Sequence, residues 1–301
     1  MTDTTSRRDA LKCLGVGAGT LFTLQGGVFS AFDLAEAQED MGTPLFLQIS
    51  DTHIGFNKEA NPDVIGTLNR TIDQVNAMPK QPALVLHTGD VTHLSKASEF
   101  DTAGQLLSRL KVSELHVVPG EHDVTDGPGA EFFARFGKAS NNRGYYSFDA
   151  HGVHFIALVN VMNFKPNGLG GLGEDQMAWL KDDLSARSAS QPIVVFAHMP
   201  LWTIYEPWGW GTGEGDEIAG LLARFGSVTV LNGHIHQIVQ KVEGNILFHT
   251  ARSTAYPQPT AGSGPGPGPL VVPSGQLPSM LGVTSAMARK RKLSLTDATL
   301  A

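Results

Sequence analysis

Five short segments of this 301-residue chain place carboxylates and imidazoles directly after apolar runs: Asp51-Thr52-His53, Gly89-Asp90, Gly120-Glu121-His122-Asp123, His198 and Gly233-His234-Ile235-His236. Together they offer enough oxygen and nitrogen ligands for two metal ions. The set includes no thiolate, because the only cysteine, Cys13, lies near the N-terminus. Mixed imidazole–carboxylate ligation suits Mn, Fe, Zn or Co rather than a soft-metal site. Two such ions ~3.5–4 Å apart clamp a phosphate and lower the pKa of a water between them. Hydrolysis of phosphate esters is the chemistry these residues imply. Any one of these histidines alone is more ordinarily structural; the ordered set carries the reading.

For residues so far apart to meet, the intervening elements must bring them to one edge. Apolar, β-branched runs at 45–49, 83–86, 115–118, 154–159, 193–197 and 228–231 read as buried strands. Stretches at 64–78, 98–110, 174–186 and 216–225 read as helices between them. A last pair, 238–242 and 246–249, reads as a hairpin around Glu243-Gly244-Asn245. This order predicts an α/β fold ending in antiparallel strands. Asp51, Asp90, Glu121, His198 and His234 each follow a strand. In open α/β sheets, ligands gather beyond the carboxyl ends of the strands, so one rim collects the whole set.

Asp-x-His, Gly-Asp, Gly-x-His-Asp, a later His and Gly-His-x-His, in that order, resemble the calcineurin-like metallophosphoesterases over about 45–250. Residues 172–180, Leu-Gly-Glu-Asp-Gln-Met-Ala-Trp-Leu, are similar to a helix start in the cyclic-nucleotide-phosphodiesterase-like branch. The resemblance implies a four-layer α-β-β-α sandwich of two mixed β-sheets flanked by helices. It also implies two divalent or trivalent transition-metal ions (Mn, Fe or Zn) and a metal-bridging hydroxide that attacks a small phosphorylated substrate, diester or monoester. By the same resemblance, Asp51, His53, Asp90 and His236 hold one ion, and Asp90, Glu121, His198 and His234 the other. Asp90 bridges the pair, and His122 is the general acid. Asp123 is expected to orient His122, as carboxylates do for imidazoles.

One position departs from the family pattern, since Glu121 stands where the family has Asn. It adds a negative charge, which predicts tighter cation binding and weaker attraction for anionic phosphate. The alternative is a metal- and phosphate-ester-binding protein with impaired catalysis. His93 lies three residues after Asp90, where purple acid phosphatases carry a metal-binding Tyr, and is either a ligand or substrate contact or a plain loop histidine. Three of the four tryptophans, Trp202, Trp208 and Trp210, follow His198 closely. They form either a wall for a base or aromatic leaving group, or a loop packed on the core.

The ends bound the rest. Net charge of −7 excludes a nucleic-acid coat role, which demands a basic face. Residues 1–37 read as a twin-arginine signal peptide: Ser6-Arg7-Arg8-Asp9-Ala10-Leu11-Lys12, a weakly apolar stretch, then Ala35-Glu36-Ala37. Its glycines argue against a transmembrane anchor. Engagement with the twin-arginine export machinery and a periplasmic or extracellular destination follow as expectations. The catalytic domain is expected over 43–256. Residues 257–301 read as a Pro/Gly-rich linker and a basic tail with Arg289-Lys290-Arg291-Lys292, either solvated or a tether to an anionic surface, the former favoured.

Overall fold

The runs that precede the ligand residues form strands, and these lie side by side. The computed structural model describes residues 20–25, 28–33, 43–273, 275–289 and 292–300. Near the N-terminus, β1 (Thr20–Gln25) and β2 (Val28–Asp33) pair antiparallel within a unit of their own. They fall in the stretch expected to be an export signal, whose twin-arginine motif and cleavage site lie outside the described residues. Residues 43–301 form the second unit.

Two sheets make up that unit. In the first, β3 (Phe46–Ile49), β4 (Leu84–His87) and β5 (Leu115–Val117) are parallel neighbours. The second contains β6 (Tyr146–Ala150), β7 (Val153–Ala157), β8 (Ile193–Phe196), β9 (Val228–Asn232), β10 (Gln240–Glu243) and β11 (Ile246–Thr250). Their spatial order is β10-β11-β9-β8-β7-β6, with antiparallel strands only at the two edges. β3, β4, β7, β8 and β9 are buried along their whole length, which is why they read as mainly apolar runs.

Alternation along each strand sorts side chains into layers. Phe46, Leu84 and Leu86 point inward to meet Phe155, Ala157, Val194 and Phe196 of the second sheet. Phe46 and Phe155 meet edge-on at 6.0 Å. Leu47, Ile49 and Val85 point outward to α1 (Val64–Asn76), α2 (Ala97–Leu107) and α3 (Ala130–Phe136). Ile156, Ile193 and Val195 meet α4 (Glu174–Ser185) and α5 (Gly215–Leu222) on the opposite side. The result is the expected α-β-β-α sandwich. Asp63 starts α1 by accepting the Gly66 N–H at 2.8 Å, an N-cap that frees no backbone donor to the core.

The C-terminal segment corrects the expected boundary at 256. Residues beyond 281 form β12 (Gly282–Arg289) and β13 (Lys292–Thr299), and the first sheet runs β13-β12-β3-β4-β5. β12 pairs antiparallel with β3, Thr284 opposite Gln48. Without it, β3 would present a row of unpaired backbone groups along one edge. Asp297 on β13 accepts the Thr284 hydroxyl at 2.6 Å and lies 3.1 Å from His249 Nε2, tying the hairpin to the other sheet. Of the basic residues expected in a solvated tail, Arg289 and Lys292 are paired backbone positions of this hairpin, and Lys290 and Arg291 lie outside the described residues. Among the described residues, no helix is long and apolar enough to cross a membrane.

Candidate metal centre

All the ligand segments meet at the carboxyl ends of the central strands, in loops too short for relaxed geometry. Asp51, His53, Asp90, His234 and His236 have positive φ, five of the nine such non-glycine residues among those described. Each costs on the order of 1–3 kcal/mol, a strain that concentrates at functional sites. The glycine of Gly120-Glu121-His122-Asp123 is equally constrained: a Cβ on Gly120 would stand 2.0 Å from Asp90 Oδ1.

Two half-sites share Asp90. On one side, His236 Nε2 lies 3.3 Å from Asp51 Oδ1 and 3.2 Å from His53 Nε2. On the other, His198 Nε2 lies 2.8 Å from Glu121 Oε2, and His234 Nδ1 lies 3.0 Å from Glu121 Oε1. Asp90 Oδ2 stands 3.4 Å from both His53 Nε2 and His198 Nε2, the position of a bridge. Its other oxygen accepts the His122 N–H at 3.0 Å.

The residues fit metal ions on two counts. Glu121 Oε2, His198 Nε2 and His234 Nδ1 are buried and approach one another as ion pairs, yet none of them makes an aligned hydrogen bond. Orphaned buried polar atoms are costly, and a cation among them satisfies all three. The outer nitrogens are also pinned. His198 Nδ1 donates to Thr88 O at 2.7 Å and His236 Nδ1 to Tyr256 O at 2.6 Å, leaving each Nε2 lone pair aimed inward.

Charge follows the same division. Burial, then the neighbouring histidines His236, His122 and His93, hold His53 well below its usual range, so it stays neutral and ready to ligate. Burial alone would depress His198, but Asp90 and Glu121 overcome it and raise it well above its usual value. Burial alone would raise Glu121, yet His234 and His198 hold it well below the carboxylate range. Against the lowering effect of burial, Asp90 and Glu121 raise His122, the state a proton donor needs.

His122 is oriented, but not by Asp123. Its Nδ1 donates to the backbone carbonyl of His93 at 2.8 Å, leaving Nε2 free. Asp123 instead accepts four bonds, from Thr92 N and Oγ1, Val91 N and Gly120 N, at 2.8–3.0 Å. It clamps the loops after β4 and β5 together, because backbone donors in those tight loops have no other acceptor.

His93 does enter the site. Its ring stacks on His122 with centroids 4.8 Å apart, and its Nδ1 is 3.4 Å from His53 Nδ1. Burial first, then His122, pushes it down to about 4. Trp208 and Trp210 line the cavity above the ligands, which measures about 260 Å³. Trp202 does not; it packs on Phe248 at 5.1 Å, since its side of the loop faces the second sheet. A larger cavity of about 360 Å³ beside Arg143 and Asn163 contains none of the ligands.

Several residues of the site carry no motif. Tyr256 stacks on His53 at 4.8 Å, with Phe56 4.3 Å from Tyr256. Lys58, Gln258 and Pro267-Gly268-Pro269 complete the cavity. An aromatic at 256 immediately before a proline gave no signal separable from core packing.

Comparison with known proteins agrees with this geometry. A model of the calcineurin-like phosphoesterase family matches residues 44–238. A probable glycerophosphodiester phosphodiesterase of Arcobacter nitrofigilis is 26% identical over 70% of this chain and 79% of its own length. A probable cyclic nucleotide phosphodiesterase of Rhodopseudomonas palustris is 25% identical, over 70% of this chain and 78% of its own. In fold, a dimetal phosphatase from Danio rerio superposes with a TM-score of 0.66 at 15% identity, covering 86% of this chain and 99% of that one. The chain belongs to the calcineurin-like phosphoesterase family and is a metal-dependent phosphoester hydrolase.

Proposed function

We propose that the chain prefers phosphodiesters over phosphomonoesters and carries two transition-metal ions, Mn, Fe or Zn, in the half-sites joined by Asp90. The observation that carries this reading is the Glu121 carboxylate wedged between His198 and His234. With Asp51 and Asp90 it makes three carboxylates, against which two divalent ions leave a single net positive charge. That balance suits a monoanionic diester better than a dianionic monoester. The names of the two bacterial relatives point the same way.

When bound, the ions supply Lewis acidity and an activated water. The chain's own residues do the rest. Asp51, His53 and His236 hold one position, Glu121, His198 and His234 the other. His122, with Nδ1 committed to His93 O, offers its Nε2 proton to the leaving oxygen. Lys58 at the rim offers a cation to the incoming anion. Incubating the protein with Mn²⁺, Fe or Zn²⁺ and comparing bis(p-nitrophenyl) phosphate with p-nitrophenyl phosphate tests the proposal. A higher kcat/KM for the diester supports it, and a higher value for the monoester overturns it.

Export belongs to the same proposal and rests on Arg7-Arg8 and the small residues at 35–37. Cell fractionation of the wild type and an Arg7→Lys, Arg8→Lys variant tests it; equal distribution of the two removes the twin-arginine reading.

A further inference from the structure

The segment at 257–270 looks like a linker by composition, yet it is built into the metal cavity. Pro267-Gly268-Pro269 lines that cavity together with Trp208. The segment closes on itself, with Leu270 N–H donating to Pro257 O at 2.8 Å. Proline has no N–H, so within Pro267-Gly268-Pro269 only Gly268 can be tethered by backbone donation. That single N–H goes to Gln258 Oε1 at 3.2 Å. The other end of the same amide, Gln258 Nε2, donates to His234 O at 2.8 Å. One side chain thus joins the loop of a ligand residue to the outer wall.

The wall is stiff and weakly polar. Two prolines fix φ on either side of Gly268, and Gly268 itself sits at φ +143, a value other residues rarely adopt. Across the cavity, Trp208 is held edge-on by Trp210 at 5.0 Å and by Tyr205 at 5.4 Å. The pyrrolidine rings and the indole offer apolar faces, and none of these rings carries a hydrogen-bond acceptor for sugar or glycerol hydroxyls. At about 260 Å³ the space is at the small end for ligand cavities, which run ~300–1,000 Å³.

We propose that residues 257–270 are a specificity wall, stapled by Gln258, that selects esters bearing a flat aryl or base-like ring over short aliphatic esters. Gln258 acts as a positioning residue: it touches the wall, not the reacting atoms. The inference rests on the phosphodiester reading above, and its test separates the two. Diphenyl phosphate and dimethyl phosphate are titrated into metal-loaded protein, with binding read from tryptophan fluorescence. The wild type should bind the diphenyl ester more tightly. Gln258→Leu loses both hydrogen bonds, and the ratio of the two dissociation constants should fall about fivefold, the effect of losing the one bond that reaches the wall at Gly268. Gln258→Glu keeps the acceptor for Gly268 N–H but loses the donor to His234 O, so it should restore only part of the ratio, and thermal melting of both metal-loaded variants shows that the site stays folded. An unchanged ratio in Gln258→Leu overturns the wall, as does equal binding of the two esters by the wild type. Hydrolysis of bis(p-nitrophenyl) phosphate is measured in parallel. Its absence in the wild type counts against the function, while the binding ratio still decides the wall.

Discussion

Replacing Asp123 by Asn separates an orienting role from a clamping one. Oδ1 accepts Thr92 N–H at 2.8 Å and the Thr92 hydroxyl at 2.9 Å, while Oδ2 accepts Val91 N–H and Gly120 N–H, both at 3.0 Å. Asn has one acceptor, so its NH₂ must face one of these pairs. Turned toward Val91 and Gly120, it orphans two backbone donors. Turned toward Thr92 it orphans one, because the hydroxyl can reverse and accept. The second is cheaper. An unsatisfied buried donor costs ~1–3 kcal/mol. Burial and the neighbouring Asp90 push the Asp123 carboxyl up to about 7, so loss of its charge adds no further cost. A loss of ~1–3 kcal/mol lowers the Tm of a domain this size by about 2–12 °C. Thermal melting of the metal-loaded proteins measures this directly. Since His122 is held by the His93 carbonyl, the alkaline limb of the kcat–pH profile should stay where the wild type has it. The reasoning is refuted if Asp123→Asn melts within ~1 °C of wild type while that limb moves.

Further outcomes follow from the same geometry. His122→Ala should lower kcat by ~10²–10⁴ for alkyl diesters and by much less for p-nitrophenyl esters, whose leaving group needs no proton; equal losses on both would remove His122 as the acid. Glu121→Asn removes one negative charge from the cluster and should shift the diester-to-monoester kcat/KM ratio about tenfold toward the monoester; a ratio that stays put would show that the third carboxylate does not set substrate charge. In the metal-free protein, His198 is raised by Asp90 and Glu121. Its stabilising contribution is therefore complete below about pH 6.5 and is lost as pH rises through the raised value. Metal loading must displace that proton, so titration calorimetry in buffers of different ionisation heat should show proton release, with affinity weakening as pH is lowered. Buffer-independent heats would argue that His198 is not a ligand.

The sequence carried the site more clearly than it carried the molecule around it. Ligand pairs such as Asp51/His53 and His234/His236 are legible because each follows a mainly apolar, fully buried strand. The C-terminal hairpin was not legible. β12 is rich in small residues (Val283, Thr284, Ser285, Ala286), so its alternation is faint, and its pairing with β3 spans most of the chain. The Pro/Gly run before it has a linker's composition, and Gln258, the bond from Gln237 to Pro259 O and the closing bond from Leu270 make it a wall. Trp202 and Trp208 lie in one loop but face opposite ways, which a turn decides and composition does not. In sequence Asp123 suggests a partner for His122, because carboxylates commonly orient imidazoles. A 3-10 turn at Glu121–Asp123 points the two side chains apart.

Metal stoichiometry tests the central claim most directly. Protein loaded with Mn²⁺, desalted and analysed for metal per chain should hold two ions. His53→Ala and His234→Ala should each retain one, and Asp90→Ala should lose the pair. A wild type that binds a single ion, or a His234→Ala variant that still holds two, would contradict a centre shared across Asp90.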